Sequence, residues 1–350
     1  MTGETSWPAV LGALAAGRDL TIGEATWAMN AVMTGEATGA QIGALLIGLK
    51  IKGEAIDEVV GFRDAALAHA LPLPIGPRVL DIVGTGGDPH GALNISSAAA
   101  VIAAAAGVPV VKHGNRAASS ASGASDVLTA LGVDIDLEPQ RVAEVFREVG
   151  VTFVNAAKFH AGFRHAAGPR REIGVSTLFN VLGPLSNPAR PEASAVGASD
   201  AARVPLIVGV FQTRGATALV YRGDDGLDKL TTTGHSHIWE ISNGSVTEHD
   251  LDPAEIGVPR ASIEDVLGRD PAYNANVIRA VLDGVHGPAR DIMLLNAAAG
   301  LTAYRLAERP ETRDIPIRER LAEQFAVAAE AVDSGAAAAK LEAWAAATRG

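Results

Sequence analysis

The 350-residue sequence contains no cysteine. That excludes disulfides, thiolate catalysis and thiolate metal sites. Aromatic residues make up 4% of the chain while the apolar set reaches 48%, so alanine, valine, leucine and isoleucine must fill most of the core. Positive charge is in deficit: 29 Lys and Arg face 40 Asp and Glu, for a net charge of −11. This balance disfavours a nucleic-acid backbone or an anionic membrane surface as partner. An anionic small molecule stays compatible, because local positive groups decide its binding. The opening MTGETSWPAV has neither a charged n-region nor an apolar h-region, so it does not read as a secretion signal. The apolar run from Ala98 to Val111 is too short to span a bilayer and is broken by Gly107 and Pro109. A cytoplasmic enzyme of two domains, or one large domain with a smaller attachment, is expected.

Two hydroxyl- and glycine-rich segments stand out: GTGGD (Gly84 to Asp88) and KHGNRAASSASG (Lys112 to Gly123). Each follows an apolar run with strand character, Val79–Val83 and Val108–Val111, and between them lies what reads as one buried helix. A glycine loop leaving a strand lets backbone N–H groups converge on an anion, and the next helix N-terminus adds partial positive charge. Asn94, Ser96 and Ser97 fall at that helix start, placed to cap it or to hold phosphate oxygens. No Gly-Lys-Ser/Thr follows the loop, which excludes a Walker cradle. Pro89 stands where a dinucleotide fingerprint needs its third glycine. The pattern therefore predicts a site for a ligand bearing more than one phosphate.

Residues 8–71 read as four helices. Thr21-x-x-Glu24 and Thr38-x-x-Gln41 are capping boxes, each ahead of apolar residues at helical spacing (Trp27, Met29, Val32; then Ile42, Leu45, Leu46, Leu49). Gly35 and Gly53 are the expected stops, and LPLPIGP (Leu71 to Pro77) is a stiff linker. From Val79 onward, strand-like runs alternate with helical ones, with further strands expected at Ala195–Ala198 and Ala218–Tyr221. The expected fold class is α/β: a small all-helical N-terminal domain and a large α/β domain with a mainly parallel central sheet.

The GTGGD, NxS[ST] and KHGNR motifs resemble the anthranilate phosphoribosyltransferase family of tryptophan biosynthesis, on the nucleoside phosphorylase/phosphoribosyltransferase fold. The resemblance continues through RREIGVSTLFNVLGPLSNPARP (Arg170 to Pro191), GDDGLDKLTTT (Gly223 to Thr233) and AAAGL (Ala297 to Leu301). It implies that roughly 158–188 return to the helical domain of 1–75, leaving 76–157 and 189–350 as the α/β domain. It implies transfer of a phosphoribosyl group from phosphoribosyl pyrophosphate to the amine of anthranilate, with Mg2+ as cofactor, in a homodimer.

By the same resemblance, donor-binding residues are Gly84, Gly87, Asp88, Asn94, Ile95, Ser96, Ser97, Lys112, Gly114, Asn115, Ser119 and Ser120. Acceptor-binding residues are Gly84, His113, Asn115, His160 and Arg170, with the Arg170 guanidinium facing the anthranilate carboxylate. His113 is the one candidate for receiving the released proton. Metal ligands are Ser96 and Asp228, but Lys229 stands where the family carries a magnesium-ligating glutamate, and a lysine cannot ligate. The acceptor segment also departs from the family, with Asn155-Ala156-Ala157 and His160-Ala161 in place of FAP and an HP pair. These departures keep a second reading open, a paralogue with another aromatic or heterocyclic acceptor. A nucleoside phosphorylase fits GTGGD and KHGNR less well, and a nucleic-acid-binding relative conflicts with the acidic charge. His235 and His237 of GHSH read as surface strand.

Overall fold

The computed structural model describes residues 5–116 and 121–350. Its first four helices are α1 (Trp7–Ala15), α2 (Ile22–Thr34), α3 (Gly39–Lys52) and α4 (Ile56–Ala68). Both capping boxes form: the Glu24 N–H donates to Thr21 Oγ1 at 3.2 Å and the Gln41 N–H to Thr38 Oγ1 at 3.2 Å, each with its reciprocal bond. Gly35 (φ +79°) and Gly53 (φ +87°) end α2 and α3 in a backbone region that favours glycine.

The chain then runs β1 (Leu80–Gly84), α5 (Ile95–Ala105), β2 (Val110–Gly114), α6 (Ala124–Ala130), α7 (Pro139–Val149) and β3 (Val151–Asn155). Three short helices follow, α8 (Ala156–Phe159), α9 (Arg164–Ile173) and α10 (Phe179–Leu185). Next come β4 (Ala193–Gly197), α11 (Val204–Arg214), β5 (Thr217–Gly223), β6 (Ser236–Ser242) and β7 (Ser245–Leu251). The chain closes with α12 (Pro271–Leu282), α13 (Pro288–Glu308), α14 (Ile317–Asp333) and α15 (Ala336–Arg349).

The sheet order is β3-β2-β1-β4-β5-β6-β7. β1 to β5 pair in parallel, whereas β6 and β7 add as antiparallel strands. The alternation rule therefore found β1, β2, β4 and β5 and missed β3 and β7, while β6 was touched only by the reading of GHSH as surface strand. β3 (VTFVN) directly follows the αL glycine that ends α7, and the β6–β7 hairpin alternates polar and apolar residues without a helix between. One face of the sheet packs on α5 and α12 to α15 in an alanine-rich core. The other face packs on α11 and on the N-terminal bundle. Within 158–188, α9 packs on α2 and α3, and α10 on α4 and α11.

From β1 the sheet grows outward in both directions, to β2 and β3 on one side and to β4 and β5 on the other. Ligands of open α/β sheets bind at such a switch point, beyond the carboxyl ends of the strands. Gly84 and Gly197 end β1 and β4 side by side in register at that point.

Candidate active site

A cavity of about 310 Å³ lies over this switch point. One wall is the loop after β1 with the start of α5, another the end of β2, and the third comes from α9 and α10. Four basic side chains (Lys112, Arg116, Arg170, Lys229) and two acidic ones (Asp88, Asp228) line it, so the local balance is positive in an acidic chain.

The loop after β1 is built by its own turns. Gly86 (φ +69°) and Gly87 (φ +75°) adopt the left-handed region. The Asp88 Oδ1 accepts from the N–H groups of Gly91 (2.7 Å), His90 (3.1 Å) and Ala92 (3.3 Å), which folds the loop back. The His90 Nε2–H donates to the Asp225 carbonyl at 2.9 Å and clamps the loop to the segment after β5. That segment is self-organised: Asp225 collects the Leu227 N–H and the hydroxyls of Thr231 and Thr233. Asn296 of α13 fixes its far end, accepting from the Leu230 N–H (3.0 Å) and donating to the Leu230 carbonyl (2.8 Å).

Asp228 is thereby laid across the ends of β1 and β4. A Cβ on Gly84 would stand 2.1 Å from Asp228 Oδ2, and one on Gly197 would stand 1.7 Å from the Asp228 carbonyl oxygen. Only two paired glycines leave room for it. The Gly86 N–H donates to Asp228 Oδ2 at 2.8 Å, and the Lys229 ammonium is bonded to Asp228 Oδ1.

Lys112 is 1% exposed, and its Nζ donates to the Ile82 carbonyl (2.6 Å) and to Ser96 Oγ (3.3 Å). Burial pulls its pKa down to about 8, opposed by the Asp81 charge. Asp81 is itself buried and pushed up to about 6 by desolvation, against the pull of Lys112 and of a 2.9 Å bond from Asn187 Nδ2. The two opposite charges act on each other across the interior beneath the cavity, each favouring the other's ionised form.

At the opposite end, Arg170 of α9 lies half-buried with its guanidinium 4.8 Å from the centre of the Phe179 ring. Burial lowers its pKa without removing its charge. No carboxylate pairs with it among the described residues. Phe163, Phe179, Asn180 and Gly183 complete a wall suited to a flat aromatic ring with one negative group.

The structure brings together Gly84, Gly87, Asp88, Asn94, Ser96, Lys112, His113, Gly114, Asn115, Arg170, Asp228 and Lys229 around the one cavity. It does not bring Ile95, Ser97 or His160 there. Ile95 and Ser97 are buried in the first turn of α5, Ile95 within the hydrophobic core, and of residues 95–97 only Ser96 turns outward. His160 is fully buried: its Nε2 lies 2.8 Å from the Ser186 carbonyl, and its ring stacks on Phe163. It supports the wall from behind. Ser119 and Ser120 lie outside the described residues.

Asn94 heads α5 without capping it. Its amide donates to the Ser122 carbonyl and accepts from Ser122 Oγ and Asn274 Nδ2, tying three segments together. Gly114 is glycine for packing, since a Cβ there would meet Phe153 at 2.9 Å and Ala124 at 3.0 Å. His113 donates its Nδ1–H to the Gly183 carbonyl at 2.9 Å, and its Nε2 is buried. Desolvation first, then the neighbouring His160 and Lys112, hold its pKa at about 3 despite that bond. Its Nδ1–H is spent on the wall, and burial disfavours its protonated form. Sequence reasoning missed Asp81, Asn187, Asn274 and Asn296, each of which makes at least one contact to a residue more than 60 positions away. Asn180 could have been found inside the quoted LFNVLGPL stretch.

The Mg2+ ligands can be tested against this geometry. The Ser96 hydroxyl is partly open to the cavity and fits as a single oxygen ligand for an ion carried by a phosphate. Asp228 does not build a second metal site: one carboxylate oxygen holds a backbone N–H and the other an ammonium. No group of three histidine or acidic side chains is arranged for a metal among the described residues. GHSH lies away from the cavity, with His237 on β6 bonded to Glu248 (2.9 Å) and Asp250 (2.7 Å) of β7.

Comparison with known proteins adds to this geometry. Residues 8–70 match the helical bundle domain of a glycosyl transferase family, and residues 76–338 its α/β domain. The chain is 68% identical over 350 residues to the anthranilate phosphoribosyltransferase of Clavibacter michiganensis subsp. michiganensis, covering 100% of both. The crystal structure of anthranilate phosphoribosyltransferase (TrpD) from Thermus thermophilus superposes with a TM-score of 0.88 at 38% identity, over 97% of this chain and 99% of that one. The Saccharomyces cerevisiae enzyme in complex with PRPP and Mg gives 0.88 at 24% identity over 99% of both, a likeness of fold.

Proposed function

The chain belongs to the glycosyl transferase family of the anthranilate phosphoribosyltransferases, and on that premise we propose how its cavity divides the work. The enzyme moves the phosphoribosyl group of phosphoribosyl pyrophosphate to the amine of anthranilate and releases pyrophosphate, a step of tryptophan biosynthesis. The observation that carries the assignment is one cavity with an ammonium-floored glycine loop at one end and, at the other, Arg170 beside Phe179 with no carboxylate partner among the described residues.

The amine nitrogen attacks C1′ as the C1′–O bond to pyrophosphate breaks, and charge shifts onto the leaving oxygens. Catalysis is then positioning and charge stabilisation. The backbone around Gly84, Gly86 and Gly87 takes the pyrophosphate, with Lys112 and Lys229 supplying charge. The Asp88 carboxylate and the Asn115 amide meet the ribose and the acceptor. Arg170 forks onto the acceptor carboxylate, and Phe163 and Phe179 hold its ring. An aromatic amine is unprotonated at neutral pH, and the ammonium formed on attack is acidic enough to lose its proton to water. No side-chain base is required.

The Saccharomyces cerevisiae structure holds PRPP and Mg. In this chain the Ser96 hydroxyl would hold a Mg2+ ion, which would neutralise charge on the leaving pyrophosphate. The division into a helical domain of 1–75 with roughly 158–188, and an α/β domain of 76–157 and 189–350, belongs to the same reading. So do a cytoplasmic location and a homodimer, the latter supported by Ile22 and Ile51, which are exposed apolar residues on the bundle. Sedimentation at micromolar concentration reads the dimer. The function is tested by loss of anthranilate fluorescence in the purified protein. Loss requiring chain, donor and Mg2+ together is expected. No loss while calorimetry still detects donor binding would refute the acceptor assignment.

A further inference from the structure

Two ammonium groups are buried together on the cavity floor. Lys112 has committed hydrogen bonds to Ile82 and Ser96, while Lys229 makes a single bond among the described residues, to Asp228. An ammonium carries three donors, so Lys229 keeps two for the cavity it lines. Its side chain is 9% exposed and its partner Asp228 3%, so a ligand oxygen there meets the ammonium with little intervening water. The Asp228 that holds it is fixed by the Gly86 N–H and by the floor that Gly84 and Gly197 leave open.

Resting on the donor-site reading above, we infer that the Lys229 ammonium is the built-in second cation of this site, filling the place beside Asp228 that a divalent ion would otherwise take. Asp228 acts as its positioning residue. Two features make this arrangement effective for a pyrophosphate. The charge is covalently attached, so it needs no free metal and survives chelation. It is also pre-ordered by burial and its ion pair, so little side-chain entropy remains to be lost when the anion arrives. Lys229 and Lys112 both line the cavity, so two like charges share its floor and repel each other. A polyanion bridging them relieves that repulsion, which ties donor binding to both lysines.

The test uses the full-length chain and inorganic pyrophosphate as probe, titrated calorimetrically in EDTA and across a range of free Mg2+. The slope of log affinity against log free Mg2+ counts the ions taken up with the ligand, after correction for Mg2+ binding to free pyrophosphate. Wild type should bind in EDTA and take up no more than one ion. Lys229→Met should lose tenfold or more of the EDTA affinity, the loss expected for one charge-assisted phosphate contact. Lys229→Glu should lose EDTA binding and gain about one ion in its Mg2+ slope, as a second carboxylate beside Asp228 completes a ligand pair. Near-UV circular dichroism matching wild type shows that each variant is folded. Unchanged EDTA affinity in a folded Lys229→Met, or a two-ion slope in wild type, overturns the inference and leaves the donor site standing. Failure of wild type to bind pyrophosphate under any condition overturns both.

Discussion

Replacing Gly197 by alanine tests whether the placement of Asp228 is set by the strand ends beneath it. The new Cβ would stand 1.7 Å from the Asp228 carbonyl oxygen and 2.3 Å from its carbonyl carbon, where ordinary contact begins at 3.4 Å. The obstacle is backbone, so no rotamer change relieves it. The segment carrying Asp228 and Lys229 must rise by about 1.7 Å, yet it is tied at both ends by Asp225 and Asn296. Overpacking of this kind costs about 1–3 kcal/mol. Misplacing a positioning group by about 1 Å costs on the order of 100-fold in rate. The expected result is a fall of about 100-fold in kcat/KM for the donor, with the anthranilate KM little changed because Arg170 sits at the other end. Gly84→Ala meets chiefly the Asp228 carboxylate, Oδ2 at 2.1 Å and Cγ at 2.8 Å, with the backbone oxygen only at 3.4 Å, so a side-chain shift relieves part of the clash and it should cost less. Gly12→Ala, mid-helix in α1 with nothing within 4 Å of its Cβ, is the control and should be neutral or slightly stabilising. Steady-state kinetics with varied donor, alongside thermal unfolding, reads all three. Donor kcat/KM within threefold of wild type in Gly197→Ala would refute the argument that these glycines position Asp228.

Donor affinity should fall with rising pH above about 8, because the protonated Lys112 binds the anion and its ammonium is lost as pH passes that value; calorimetry at pH 7 to 10 with pyrophosphate checks it. Asp81→Asn removes the charge that props up the Lys112 ammonium, so the midpoint of that fall should move to lower pH, and an unmoved midpoint would break the coupling. Arg170→Ala should raise the KM for anthranilate far more than that for the donor, at least tenfold for a lost bidentate contact; equal effects on both would contradict its role. Asn296→Leu leaves the buried Leu230 N–H and carbonyl unpaired, and should cost about 2–4 kcal/mol in denaturant unfolding for two orphaned groups.

How much of this was legible in the sequence depends on how far apart the interacting residues lie. The capping boxes at Thr21 and Thr38 were readable because both partners sit three residues apart. The glycine loop was readable because its turns close within a few residues on Asp88. Serine spacing at the head of α5 was only half readable. NxS[ST] marks the phosphate end of the helix, but the helical period turns Ser96 to the cavity and buries Ser97. The motif kept both.

The acceptor end was harder to read for a different reason. His160 looked like a ligand because its neighbours along the chain are functional in the family, yet it is drawn inward by the Ser186 carbonyl and the Phe163 ring. His113 looked like a proton acceptor because imidazole is the usual one, and the sequence could not show that burial beside a second histidine disfavours its protonated form. Asn296 and Asn274 also bond locally, to the Ile292 carbonyl and the Arg269 N–H, but the partners that tie them to the site lie 66 and 180 residues away. The same holds for Lys229. Read in the chain, it is a substitution that subtracts a metal ligand. Seated between Asp228 and the open cavity, on a floor created by glycines of two different strands, it adds a fixed positive charge where the donor needs one.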